Sequence, residues 1–92
     1  MSMRLEKKLI IVNKLGLHAR AATQLAKLAM RFDAEITVIQ DGKTASASSV
    51  LGLMMLESSQ GKEVTIVSEG QDAEQAMEAV ETLIVGKFNE DE

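Results

Sequence analysis

Residues 6–34 read EKKLIIVNKLGLHARAATQLAKLAMRFDA, and the spacing of their apolar side chains changes once along the stretch. The opening EKKLIIV concentrates leucine and β-branched residues before the turn-like NKLG, which predicts a short strand over 6–12. Beyond His18 the apolar side chains recur at helical spacing. They are Ala22, Leu25, Ala26, Leu28, Ala29 and Phe32. The stretch therefore predicts a strand, a turn and an amphipathic helix in succession.

Strand-like alternation and helical spacing of the apolar residues predict the elements that follow. AEITVIQDGKTASAS (34–48) alternates on both sides of Asp41-Gly42, a strong signal for a β-hairpin. SSVLGLMMLESSQG (48–61) is a short helical candidate, and KEVTIVSEG (62–70) is typical of a strand. QDAEQAMEAVETLIVGK (71–87) predicts a long amphipathic helix, with Asp72 and Gln75 at capping-box spacing and Gly86-Lys87 at its end.

This order, β-α-β-β-α-β-α, predicts a single α+β domain over residues 1–92. Four strands form a small, mostly antiparallel sheet, and three helices cover one face while the other face meets solvent. The acidic tail NEDE (89–92) is expected to be frayed.

The composition disfavours several kinds of partner and chemistry. Of the 92 residues only 2% are aromatic and the net charge is −4, which disfavours nucleic acid and anionic membranes as partners. The chain has no cysteine and one histidine, so disulfides, thiol chemistry and a zinc site are not expected. No signal peptide or membrane span is visible, and we expect a cytoplasmic protein.

The single histidine, His18, lies where a helix-capping residue is expected. No Ser, Thr, Asp or Asn directly precedes Ala19 to accept the first amide hydrogens of the helix. Gly16 allows an unusual backbone path, and Arg20 adds a guanidinium, so the region favours an anion. A neutral imidazole is also a nucleophile, and a phosphohistidine would cap the helix itself. A partly exposed histidine without function and a carboxylate-binding site are the alternatives.

The run VLGLMML (50–56) has no polar side chain. A buried core helix would explain it. In a domain with one open layer, however, Leu53 and Leu56 can serve the core while Val50, Leu51 and Met54 point elsewhere. Methionines repack easily and suit a surface that accepts more than one partner.

A polar stripe follows the outer face of the first predicted helix, at spacings of three and four residues. Its members are Arg20, Gln24, Lys27 and Arg31. A solvated face explains the stripe, and steering of acidic partners toward His18 is the functional alternative.

The heptapeptide GLHARAA (16–22) resembles the active-site signature of the HPr family of histidine phosphocarriers of the bacterial phosphotransferase system. SSVLGLMML (48–56) is similar to the second-helix motif of that family, and the order of elements matches its open-faced β-sandwich. NKLGLHARAA, SVLGLMML and the acidic ending GKFNEDE resemble the nitrogen-related (NPr) branch.

The resemblance implies that His18 accepts a phosphoryl group on Nδ1 from an Enzyme I-type donor charged from phosphoenolpyruvate. His18 then passes the group to an Enzyme IIA-type acceptor. Arg20 and the backbone amides of Ala19 and Arg20, with Ala21 as a third candidate, would hold the phosphoryl oxygens. Such a protein is a monomeric carrier without cofactor or metal, and it depends on partner enzymes.

The resemblance also implies a docking surface that serves both partners. We expect it to include Leu17, Lys27, Val50, Leu51, Met54 and Met55. Ser49 aligns with a serine that a dedicated kinase modifies in many family members, although a serine at this place is also a good N-cap. Ala21 stands where most members have proline, so it restores an amide hydrogen in the first turn.

Three alternatives stay open at this point. The first is a sugar-transport HPr with the same chemistry. The second is a regulatory interaction module whose phosphorylation state controls its binding to targets. The third is a small anion-binding domain without phosphoryl transfer.

Overall fold

The computed structural model describes residues 3–90 as four strands and three helices. In chain order they are β1 (Met3–Ile10), α1 (Ala19–Ala29), β2 (Glu35–Gln40), β3 (Lys43–Ser46), α2 (Val50–Met55), β4 (Glu63–Gly70) and α3 (Ala73–Val85). A short turn at Lys87–Asn89, here called the C-terminal turn, follows α3. The predicted α+β order is confirmed.

The four strands form one antiparallel sheet in the order β1-β4-β2-β3. Its register brings the inward side chains together: Leu9 lies opposite Val64, and Val38 lies between Ile66 and Ala45. β1 begins at Met3 rather than at the predicted residue 6. As an edge strand it tolerates charged residues, which weaken the sequence signal without preventing pairing.

The helices cover one face of this sheet, as predicted. α3 packs on β1 and β4, and α1 packs against α2 and α3. Four residues of the predicted stripe are buried along α1, and these are Ala22, Leu25, Ala26 and Ala29. Ala21, outside the stripe, is buried as well, Leu28 is half-buried, and the helix ends before Phe32. Asp41 and Gly42 both have positive φ angles, +50° and +81°, which is the geometry of a tight hairpin turn.

The predicted capping box of α3 is wrong. Asp72 is the N-cap residue, but its side chain makes no capping hydrogen bond to α3. Its Oδ2 atom instead accepts the amide hydrogen of Asp33 at 2.8 Å, and the carbonyl oxygen of Asp33 accepts the amide hydrogen of Asp72 at 2.9 Å. A pair of contacts between distant loops therefore replaces the local cap.

α3 ends at Val85 with Gly86 as its C-cap residue, where the sequence predicted the end of the helix. Gly86 has a negative φ of −81°, and the left-handed conformation falls instead on Lys87, Phe88 and Asn89, with φ between 53° and 63°. Phe88 is fully buried in the core. Asn89 and Glu90, in the tail that is expected to be frayed, contact the rest of the domain through their side chains, because the buried ring of Phe88 draws the backbone onto the molecule. Residues 91 and 92 lie outside the described residues.

Candidate functional site

The loop that precedes α1 is fixed by a close approach of two backbone segments. Gly16 has φ +65°, and a Cβ atom at this position would lie 2.4 Å from the carbonyl oxygen of Ser58. The next amide, that of Leu17, donates to the same oxygen at 2.8 Å. Asn13 closes the other side of the loop, because its Nδ2 atom donates to the carbonyl oxygen of Gly16 at 2.8 Å. Only glycine combines this φ with this approach.

His18 occupies the N-cap position of α1 with an extended backbone, and its side chain makes no capping hydrogen bond. The first intrahelical bond runs from the amide of Ala22 to the carbonyl oxygen of His18 at 2.8 Å. Within residues 3–90, no side chain accepts the amide hydrogens of Ala19 or Arg20. The uncapped helix start predicted from the sequence is therefore confirmed.

Ala21 differs from its two neighbours. It is fully buried, whereas Ala19 and Arg20 are exposed. Residue exposure at the start of α1 therefore favours Ala19 and Arg20 over Ala21 as the residues that an anion would meet. A third amide from Ala21 stays a prediction.

One ring nitrogen of His18 is engaged by a residue from the other end of the chain. The Nε2 atom lies 2.6 Å from Oε2 of Glu90, and Nδ2 of Asn13 lies 3.3 and 3.4 Å from the two oxygens of the same carboxylate. The hydrogen bond with His18 lowers the pKa of Glu90 below its ordinary value of 4.5. Partial burial opposes this shift, while Asn13 and the positive charge of Arg20 add to it.

The C-terminal turn holds this carboxylate in place. Phe88 anchors the turn in the core, and Nδ2 of Asn89 donates to Oε1 of Gln24 on α1 at 3.2 Å. The sequence prediction missed Glu90. A lone phenylalanine in the charged ending GKFNEDE was the available signal that this segment packs against the domain.

These groups line an open cleft of about 750 Å³. Its lining residues are Lys14, Leu15, His18, Ala19, Arg20, Gln24, Phe88, Asn89 and Glu90. Leu15 is 67% exposed at the rim, whereas Leu17, which the sequence analysis placed on the docking surface, is only 6% exposed and belongs to the core. The docking assignment of Leu17 is therefore wrong, because the turn at Gly16 directs it inward.

The apolar residues of α2 are distributed between the core and the surface, as predicted. Leu53 and Leu56 are buried, while Leu51 is 71% exposed and both Met54 and Met55 are also exposed. Val50 is half-buried against the core. Ser58 lies in the segment after α2, and its carbonyl oxygen accepts the amide hydrogen of Leu17. The C-terminal end of α2, which carries Met54 and Met55, therefore lies beside the start of α1. Lys27 is exposed on the polar stripe of α1.

Ser49 serves as the N-cap of α2. Its hydroxyl oxygen accepts the amide hydrogen of Gly52 at 3.0 Å. The capping role that the sequence suggested for this serine is confirmed, and it explains the residue without a modifying kinase.

The described residues contain no group of three or more His, Cys, Asp or Glu side chains arranged to hold a metal ion. Among the same residues, none of the helices has both the length and the apolar character needed to cross a membrane.

Comparison with known proteins identifies the family. The family described as "PTS HPr component phosphorylation site" matches residues 5–85. The phosphocarrier protein NPr of Shewanella violacea is 58% identical over 87 residues, which cover 95% of this chain and 96% of that protein. The phosphocarrier protein HPr of Xylella fastidiosa is 40% identical over 87 residues, 95% of this chain and 98% of that protein.

A solved structure shares the fold. The crystal structure of HPr-C-His from Thermoanaerobacter tengcongensis superposes with a TM-score of 0.91 at 41% identity, and the match covers 96% of this chain and 99% of that one. This agreement includes the open-faced sheet and the three helices described above. The chain therefore belongs to the HPr family of phosphocarrier proteins.

Proposed function

We propose that this protein accepts a phosphoryl group on Nδ1 of His18 from an Enzyme I-type donor charged from phosphoenolpyruvate, and passes it to an Enzyme IIA-type acceptor. The observation that carries the proposal is the position of His18, at an uncapped helix start that opens into a cleft. A phosphoryl group there would accept the amide hydrogens of Ala19 and Arg20, and the partial positive charge of the helix N-terminus would favour it.

The transfer requires little from the carrier itself. The lone pair of Nδ1 attacks phosphorus, the bond from phosphorus to the donor atom breaks, and its electron pair stays with the donor. The guanidinium of Arg20, which lines the same cleft, stabilises the phosphoryl oxygens together with the amides. In the second step the acceptor attacks phosphorus and the electron pair of the N–P bond returns to Nδ1. The partners supply the remaining machinery, so the protein is a carrier rather than a self-sufficient enzyme.

Both partners dock in turn on one surface next to the cleft. Its members are Lys27, Val50, Leu51, Met54 and Met55. The exposed residues of α2 support this proposal, because methionine-rich apolar surfaces adapt to more than one partner. Leu15 at the rim of the cleft extends the surface toward His18.

The pathway is that of the nitrogen-related branch. The 58% identity to the NPr of Shewanella violacea supports this assignment. The alternative is a sugar-transport HPr, since both branches use the same chemistry. Phosphorylation rates with nitrogen-type and sugar-type Enzyme I, measured side by side, discriminate between them: the nitrogen-type donor is expected to be faster.

The chemistry is tested by incubating the protein with phosphoenolpyruvate and a nitrogen-type Enzyme I. One acid-labile phosphate is expected per chain, and His18→Ala should abolish it, while Ser49→Ala serves as a control that leaves the imidazole in place. An acid-stable phosphate that persists in His18→Ala would contradict the proposal.

A further inference from the structure

The contact between His18 and Glu90 joins residues that are 72 positions apart in the chain. Glu90 lies outside the segment 5–85 that matches the HPr family. The carboxylate is nevertheless directed at a ring nitrogen of the histidine, at 2.6 Å. This distance is that of a strong, charge-assisted hydrogen bond.

Three separate contacts hold the carboxylate in this place. Phe88 is fully buried two residues earlier, Asn89 donates to Gln24, and the buried amide group of Asn13 donates to both oxygens of Glu90. The backbone adopts left-handed angles at three successive non-glycine residues to make this path. Left-handed angles are unfavourable for residues with a side chain, so the packing around Phe88 must stabilise the turn.

We propose that Glu90 is a positioning residue for phosphoryl transfer, which holds the imidazole of His18 with its proton on Nε2 and its lone pair on Nδ1. The inference rests on the proposed function of His18. An ionised carboxylate can only accept hydrogen bonds, so the ring nitrogen that contacts Glu90 must carry the hydrogen. In a neutral imidazole the other nitrogen is then the nucleophile.

The same carboxylate also acts during the transfer. When the lone pair of Nδ1 forms the bond to phosphorus, the ring keeps its Nε2 hydrogen and gains positive charge. The negative charge of Glu90, hydrogen-bonded to Nε2–H, offsets that charge while the donor retains the electron pair of the bond that breaks. When the phosphoryl group leaves, the electron pair of the N–P bond returns to Nδ1 and the ring is neutral again. No proton has to enter or leave the site in either step.

Glu90→Gln and Glu90→Ala test the proposal. The first variant keeps the shape and loses the charge, and the second loses the contact. The matched control is Glu78→Gln, which removes an exposed carboxylate of α3 that does not line the cleft. Nitrogen NMR of the isotope-labelled imidazole reports which ring nitrogen carries the hydrogen at neutral pH, independently of any phosphorylation. Single-turnover transfer from phosphorylated Enzyme I reports the rate.

In the wild type and in Glu78→Gln the Nε2–H form should dominate. In both Glu90 variants the Nδ1–H form should rise, and phosphorylation of His18 should slow by about tenfold, the size expected for loss of one charge-assisted hydrogen bond. An unchanged tautomer ratio, or a rate within twofold of the control, would overturn the role of Glu90. The proposed function fails separately, if the wild-type protein itself acquires no phosphate on His18.

Discussion

Among the glycines of the described residues, Gly16 leaves the least room for a side chain. An added methyl group would lie 2.4 Å from the carbonyl oxygen of Ser58, in addition to the cost of φ +65° for a residue with a side chain. We expect Gly16→Ala to reduce the free energy of unfolding by more than about 2 kcal/mol, measured by chemical denaturation.

Gly42 provides the matched control for this substitution. Its φ is +81°, but nothing lies within 4 Å of the place of a Cβ atom. Gly42→Ala should therefore cost only the conformational term, roughly 1 kcal/mol. Equal losses at the two glycines would show that the approach of Ser58 contributes nothing.

The residues around His18 show how far sequence reasoning reaches at this scale. The absent cap and the need for glycine are local properties, so both could be predicted. The inward direction of Leu17 and the outward direction of Leu15 could not, because a loop has no period from which a buried side can be inferred. The partner of Nε2 could not be predicted either, since no local pattern links residues 72 positions apart.

At the scale of the element, the buried and exposed residues of α2 are expected to have different roles, stability for the buried ones and partner binding for the exposed ones. Leu51 is exposed, so Leu51→Ala should change the free energy of unfolding by no more than about 0.5 kcal/mol. If α2 docks both partners, the same substitution should weaken binding to the Enzyme I-type and the Enzyme IIA-type protein by about fivefold or more, as calorimetric titration can measure.

Leu53 faces the core from the same helix and serves as the opposite control. Leu53→Ala should lower the free energy of unfolding by about 2–5 kcal/mol, because it leaves a cavity. Unaltered affinities of Leu51→Ala for both partners would place the docking surface elsewhere.

The two ends of α3 show why periodicity predicts an element better than it predicts the caps. The apolar stripe of α3 is buried as expected, with Ala76, Met77 and Val80 in the core. The Asp72 carboxylate, however, could accept a hydrogen bond from the first turn of α3 or from elsewhere. It accepts the amide hydrogen of Asp33, which lies in a distant loop. A local motif indicates which hydrogen bonds are possible, but which of them forms depends on the tertiary structure.

For the molecule as a whole, the docked tail adds a pH dependence with a definite sign. The hydrogen bond with His18, the largest cause, holds the pKa of Glu90 below its ordinary value of 4.5. A carboxyl group whose pKa is lower in the folded state stabilises that state above its unfolded pKa, and this contribution is lost as the pH falls through the folded value. The melting temperature of the wild type should therefore exceed that of Glu90→Gln at pH values above 4.5.

This difference between the two proteins should shrink as the pH is lowered further into the acid range, and thermal melts at a series of pH values measure it. A gap that stays constant down to the lowest pH would contradict the link between the carboxylate and the stability of the fold.

The order of helices and strands was predictable because the spacing of apolar residues within each segment indicates its type, and Asp41-Gly42 indicates the hairpin turn. The sheet order β1-β4-β2-β3 is a property of the whole chain, and no single segment encodes it. The same holds for the site: His18, Arg20 and the exposed face of α2 follow from local patterns, while Glu90 depends on how the last turn folds back.

The sheet order also has a consequence for synthesis on the ribosome. β4 lies between β1 and β2, so the sheet cannot close until residue 70 has emerged. Glu90 reaches His18 only after α3 and the C-terminal turn have packed. A chain shortened by its last few residues would therefore keep the sheet and its three helices but leave Nε2 of His18 without this partner, and the site becomes complete as the last step of assembly.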